Sequence, residues 1–168
     1  VHVQLDADKE LIDKYLSKEK DPDYPGNAVY ASMIEHVDDS VGDIMQAVEE
    51  LGLADNTIFI FYSDNGGVDN RYDNIPLLAG NGKAAYPEGH PLTYIATSNA
   101  PLRAGKGTLY EGGIRVPLIV RWPTKVPSGS TSEAIVSSVD FYPTFLELVQ
   151  GKAPENQVLD GFSMLPAL

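Results

Sequence analysis

The run Thr57-Ile-Phe-Ile-Phe-Tyr62 holds only β-branched and aromatic residues and has no apolar–polar alternation. A strand with one wet face alternates, so a run that does not is predicted to be buried on both faces. Just before it lies the clearest helix of the chain. Val29, Met33, Val37, Val41, Ile44, Val48 and Leu51 recur at threes and fours, with Asn27 in place to cap the start and Gly52 to stop the end. Helix, tight turn and buried strand is the pattern of a layered α/β fold. A second apolar run, Leu118-Ile-Val-Arg-Trp122, is predicted to join the same sheet. The Ala28–Leu51 helix and a further helix over Val139–Val149, with Asp140 near its start and Pro143 in its first turn, are expected to cover that sheet.

The remaining segments are weaker. Asp6 to Lys18 reads as a short helix with Leu11, Ile12, Tyr15 and Leu16 on one stripe, and Asp6 or Asp8 can cap it. Val1 to Leu5 alternates like a strand already in progress, and the first residue is not Met, so the chain is expected to start inside a larger protein. Residues 68–102 show no sustained period, and loops that long are uncommon in a compact domain and usually functional or mobile. A length of 168 residues fits one domain, and 43% apolar residues can fill a core. Acidic residues number 24 against 12 basic ones, a net charge of −12. That balance argues against nucleic acid and anionic lipid as partners and leaves hard cations as the partner class it favours. No apolar run is long enough to span a membrane. Cysteine is absent, which removes disulfides, thiolate zinc sites and a Cys nucleophile within these residues.

Asp64 and Asn65 leave the C-terminal end of the first strand, where open α/β sheets bind ligands. A carboxylate and an amide oxygen side by side suit Ca²⁺ or Mg²⁺ rather than zinc, and Gly66 and Gly67 would let the backbone bend around an ion. The same four residues are also ordinary turn vocabulary. Lys106 sits between Gly105 and Gly107, which suits an anion, although the full phosphate-loop pattern is missing and a solvated loop lysine fits as well. His2 lies between two valines, His36 within the long helix reads as structural, and His90 falls in the irregular stretch.

Taken together, Ser63-Asp-Asn-Gly-Gly67, Pro101-Leu-Arg-Ala-Gly-Lys-Gly107, Tyr110-Glu-Gly-Gly-Ile-Arg-Val-Pro117 and Val139-Asp-Phe-Tyr-Pro-Thr144 resemble the sulfatase family of the alkaline-phosphatase-like superfamily, over nearly the whole chain. The resemblance implies an alkaline-phosphatase-like α/β fold, a layered sheet flanked by helices, here incomplete. It implies a sulfuric ester hydrolase in which Asp64 and Asn65 are calcium ligands and Lys106 binds the sulfate ester. His2 would contact the sulfate and protonate the leaving oxygen, although Val3-Gln4 stands where the family commonly has Thr-Pro. Glu111 and Arg115 would shape the turn.

The family's nucleophile is a formylglycine made from Cys or Ser in a Cys/Ser-x-Pro-Ser-Arg-type motif, and this chain has none. The resemblance thus implies that residues 1–168 correspond to the later part of a sulfatase catalytic domain, and the half with the nucleophile and the further calcium-binding aspartates is expected upstream. The substrate implied is a sulfate-ester small molecule or a sulfated carbohydrate. Arg71, Tyr72, Tyr86, His90 and Tyr94 are candidate specificity residues, and the family setting is exported: periplasmic, extracellular or lysosomal. Two other classes stay open at this point. One is a phosphoryl-transfer hydrolase of the same superfamily, disfavoured because Asn65 stands where two-zinc relatives place His. The other is a non-catalytic calcium-binding or interaction module. Oligomeric state is not encoded in any pattern found.

Overall fold

The structure, a computed structural model, describes residues 4–69, 78–85 and 95–168. It divides into two compact units, Val1–Ile119 and Val120–Leu168. In the first, α1 (Lys9–Leu16) and α2 (Ala28–Glu50) precede β1 (Phe59–Tyr62), followed by α3 (Gly80–Ala85) and the single-turn α4 (Glu111–Ile114). β2 (Leu118–Arg121) pairs with β1 in a two-stranded sheet and contains the boundary, and α5 (Phe141–Leu148) belongs to the second unit. Among the described residues, no helix is long and apolar enough to cross a membrane.

The core of the first unit is made where α1, the start of α2 and α3 meet. Leu5, Ile12, Ala28, Val29, Leu78 and Ala96 are buried together, with Tyr15, Leu16, Tyr30 and Met33 packed around them. Removing such side chains from water contributes about 1.5–3 kcal/mol for each large one. α2 begins as its sequence requires: Asn27 Oδ1 accepts the Tyr30 N–H at 2.9 Å. It ends in a Schellman arrangement, with Gly52 N–H on Glu49 O, Leu53 N–H on Val48 O, and Gly52 at φ +67°. Only the first turns of α2 are buried, since Ile44 and Leu51 are exposed. α1 and α2 are also joined by Lys14, whose ammonium donates to both oxygens of Glu35 at 2.6 and 2.8 Å. The Lys14 ammonium and Tyr15 hydroxyl hold the Glu35 carboxyl below its usual range, and the bond to Glu35 raises Lys14 in turn. His36 serves the same junction, with Nε2 3.4 Å from Asp8 Oδ2.

Two local expectations are corrected here. Asp8 occupies the N-cap of α1 but makes no side-chain cap bond there. Asp6 instead turns to α3, its Oδ1 accepting the Gly82 N–H at 2.7 Å. That bond, together with Ala79 N–H on Leu5 O at 2.9 Å, explains a helix inside a stretch read as irregular. The glycine-rich sequence Gly80-Asn-Gly-Lys-Ala-Ala85 has little intrinsic helix propensity, so tertiary contacts must hold it.

The strands fall where the apolar runs place them, but burial on both faces is not what the structure shows. Phe61 is 42% and Ile119 is 62% exposed. α2 packs on α1 and on the 3₁₀ turn Ala54–Asn56, and among the described residues it lays no extended face on β1. An unalternating run records what a strand is able to bury. The cover itself must come from elsewhere, and α2 spends its buried positions on α1.

In the second unit a capping box starts the 3₁₀ turn Ser138–Asp140 that leads into α5, Ser137 N–H donating to Asp140 Oδ2 at 2.7 Å. Asp140 Oδ1 also accepts the Phe162 N–H at 2.9 Å, and Thr144 Oγ1 accepts the Met164 N–H at 2.9 Å. These two bonds tie the aperiodic tail to the helix.

Candidate functional site

Ser63 to Gly67 leave β1 as a turn anchored on both sides. Ser63 N–H donates to Pro117 O at 3.2 Å, Ser63 Oγ donates to Asn65 O at 3.0 Å, and Gly66 N–H donates to Gly113 O at 3.0 Å. Asp64 is exposed and Asn65 half-buried. The loop carrying Lys106 is hydrogen-bonded directly to this turn, because Lys106 N–H donates to Gly67 O at 3.0 Å. Within that loop Gly112 N–H donates to Arg103 O at 2.9 Å, and Thr108 Oγ1 donates to Gly105 O at 2.8 Å. Two motifs distant in sequence thus share one backbone crossing, which brings Asp64, Asn65 and Lys106 onto neighbouring loops.

The glycines of both motifs are explained by this crossing. Gly66 and Gly67 are not among the glycines with positive φ, so the sharp bend expected of them is not their role. They provide room. A Cβ on Gly66 would overlap Gly112 O, one on Gly112 would overlap Ala104 O, and one on Gly113 would overlap Thr108 O. Gly105 is hemmed in by Gly67 O, Asp69 Oδ1 and Asn99 Nδ2. Only a chain without side chains at these positions lets the two loops approach so closely.

Sequence reasoning missed Asn99 and Asp69. Asn99 Oδ1 accepts the Gly67 N–H at 2.9 Å, while Nδ2 donates to Gly67 O at 2.9 Å and to Ala104 O at 3.2 Å. Asp69 Oδ1 is buried beside Gly105 and has no hydrogen-bond partner among the described residues. Neither residue lies in a periodic segment, and only the fold reveals what surrounds them. Arg103 stacks its guanidinium 3.8 Å above the Tyr110 ring, and Arg115 reaches Glu111 at 3.3 Å across one turn of α4.

His2 lies outside the described residues, as do Arg71, Tyr72, Tyr86, His90 and Tyr94. Among the described residues, no three His, Asp or Glu side chains converge as a metal cage. The donor set at the β1 end is hard oxygen, from Asp64 and Asn65. It fits two positions of a calcium shell that takes about 6–8 oxygens. Lys106, half-buried and next to the buried Gly105, lies on the loop whose backbone crosses the turn that carries this oxygen pair. Such an arrangement suits a tetrahedral oxyanion bound next to a divalent ion.

Comparison with known proteins shows the family of the chain. The family model described as Sulfatase matches residues 2–151. A protein named Sulfatase from Formosa agariphila is 35% identical over the full chain, which corresponds to 28% of that protein. Steryl-sulfatase of Mus musculus is 32% identical over 88% of this chain and 22% of its own. Among solved structures, Ps i-CgsB in complex with k-i-k-neocarrahexaose aligns with a TM-score of 0.75 and 36% identity, covering 99% of this chain and 31% of that one. The chain spans about a quarter of the length of the curated relatives it matches.

Proposed function

This chain belongs to the sulfatase family of the alkaline-phosphatase-like superfamily, and from that we propose that the protein carrying it is a sulfuric ester hydrolase. The observation that supports the proposal is the backbone crossing of the Asp64–Gly67 turn with the Lys106 loop, which puts residues able to hold a hard cation and a residue able to bind an anion on neighbouring loops. Asp64 and Asn65 would hold calcium, with Mg²⁺ as the alternative ion. Bound calcium and a formylglycine hydrate, the latter from outside these 168 residues, would supply charge neutralisation and the oxygen nucleophile.

Lys106 pairs its ammonium with a sulfate oxygen and offsets charge on the transferring group. The glycine crossing fixes the backbone from which that side chain extends. His2 donates a proton to the leaving alcohol oxygen.

The family match and the named sulfatase relatives favour sulfate esters over phosphate esters. A sulfated carbohydrate is the proposed substrate class, supported by the solved relative whose complex holds k-i-k-neocarrahexaose. An exported setting belongs to the same proposal. The test is hydrolysis of a chromogenic aryl sulfate and of sulfated oligosaccharides by the full-length protein, with and without chelator. Sulfate release that Lys106→Ala lowers by about 10²–10³-fold, as for loss of one oxyanion contact, supports it. Phosphate-ester turnover without sulfate release would overturn it.

A further inference from the structure

We propose that Asn99 is the positioning residue that locks the Asp64–Asn65 turn to the Lys106 loop, so that the cation-holding and sulfate-holding sides of the site act as one unit. The inference rests on the functional proposal above and adds to it a residue outside both motifs.

The geometry is specific. One carboxamide grips both backbone groups of Gly67, taking its N–H on Oδ1 at 2.9 Å and giving Nδ2–H to its carbonyl at 2.9 Å. The same Nδ2 reaches Ala104 O at 3.2 Å, in the loop just before Lys106. Gly67 O is in turn the acceptor for Lys106 N–H at 3.0 Å. Asn99 and Lys106 therefore share one acceptor, two residues after Asn65. Only this orientation of the carboxamide sets an oxygen against an N–H and a nitrogen against two carbonyls. The glycines leave no side chains between the loops to keep them in register, so this duty falls on hydrogen bonds. Asn99 supplies three of these bonds, bridging 32 residues back to Gly67 and five forward to Ala104. Groups that orient the residues touching an ion or substrate typically matter by about 10–100-fold in affinity or activity.

The experiment uses the full-length protein, aryl sulfate kinetics and calcium titration by calorimetry, with Asn99→Ala, Asn99→Asp, Lys106→Ala and the Asn99→Ala/Lys106→Ala double variant. Asn99→Asp keeps the acceptor for Gly67 N–H and places a carboxylate oxygen against two carbonyls, at unchanged size. It serves if Asn99→Ala does not fold. Asn99→Ala is expected to lower kcat by about 10–100-fold, with KM changed less, and to weaken calcium by a similar factor. In the Lys106→Ala background the same change should cost far less, because residues acting as a unit are not additive. Wild-type kcat/KM in the Asn99 variants, or losses that simply multiply in the double variant, would overturn the inference. If the wild type releases no sulfate, the functional proposal fails by itself, and calcium affinity decides for Asn99: weakened binding supports the lock, and unchanged or absent binding ends it.

Discussion

The first unit contains two regions held together by opposite means. Around Leu5, Ile12 and Val29, apolar side chains are fully buried and the backbone follows regular helices. Around Gly66, Gly105 and Gly112, side chains are missing and backbone touches backbone through hydrogen bonds. The first region is stabilised roughly in proportion to the area it hides, so it degrades gradually when volume is lost. The second depends on empty space and degrades abruptly when anything fills it. The candidate site is built on the second, where position is fixed by polar geometry rather than by packing.

The largest effect is expected at the crossing. Gly112→Ala places a methyl into Ala104 O with no flexible neighbour to yield, and should cost about 4 kcal/mol or more along with all sulfate turnover. Denaturant melts with activity measurements check this, and a fully active variant would remove the contrast between the regions. Ile12→Ala comes next. It should cost about 3 kcal/mol, within the usual core-truncation range, while kcat per folded molecule stays near wild type. Gly42 sharpens the comparison, because an added Cβ there meets nothing within 4 Å. Gly42→Ala in mid-α2 should stabilise by about 1 kcal/mol, since glycine is a poor helix former and the site has room.

The smallest effect belongs to the exposed Lys14–Glu35 pair. The Glu35 carboxyl is held below its usual range by Lys14 first and Tyr15 second. Its contribution is therefore present above the unfolded carboxyl pKa and is lost as pH falls through the lower folded value. Lys14 is raised, so its share is complete below the ordinary lysine pKa and fades as pH rises through the folded one. Tm measured against pH for wild type and Glu35→Gln should differ slightly near neutrality and converge in acid. A gap that widens in acid would contradict the sign.

Legibility in the sequence follows the same division. α2 could be read to within a residue because Asn27, the three-and-four stripe and Gly52 are local signals. The strands could be located, yet their exposure could not, since cover is a tertiary property. α3 escaped notice because its support comes from Asp6, far off in sequence. Asp64, Asn65 and Lys106 stood out by motif, whereas the reason for the glycines beside them did not. Those glycines read as bends and prove to be clearance, a distinction that needs the opposing loop. Asn99 carried no local signal, because both of its tasks involve backbone that only the fold brings near.

The most direct measurement is a crystal structure of the full-length protein soaked with calcium and sulfate. The expected result is a cation with Asp64 and Asn65 side-chain oxygens at about 2.3–2.6 Å. A sulfate beside that cation should have an oxygen about 2.7–3.2 Å from Lys106 Nζ. A cation bound away from Asp64, or a sulfate beside the cation with the Lys106 ammonium turned out to solvent, would contradict the claim that the two loops form one site.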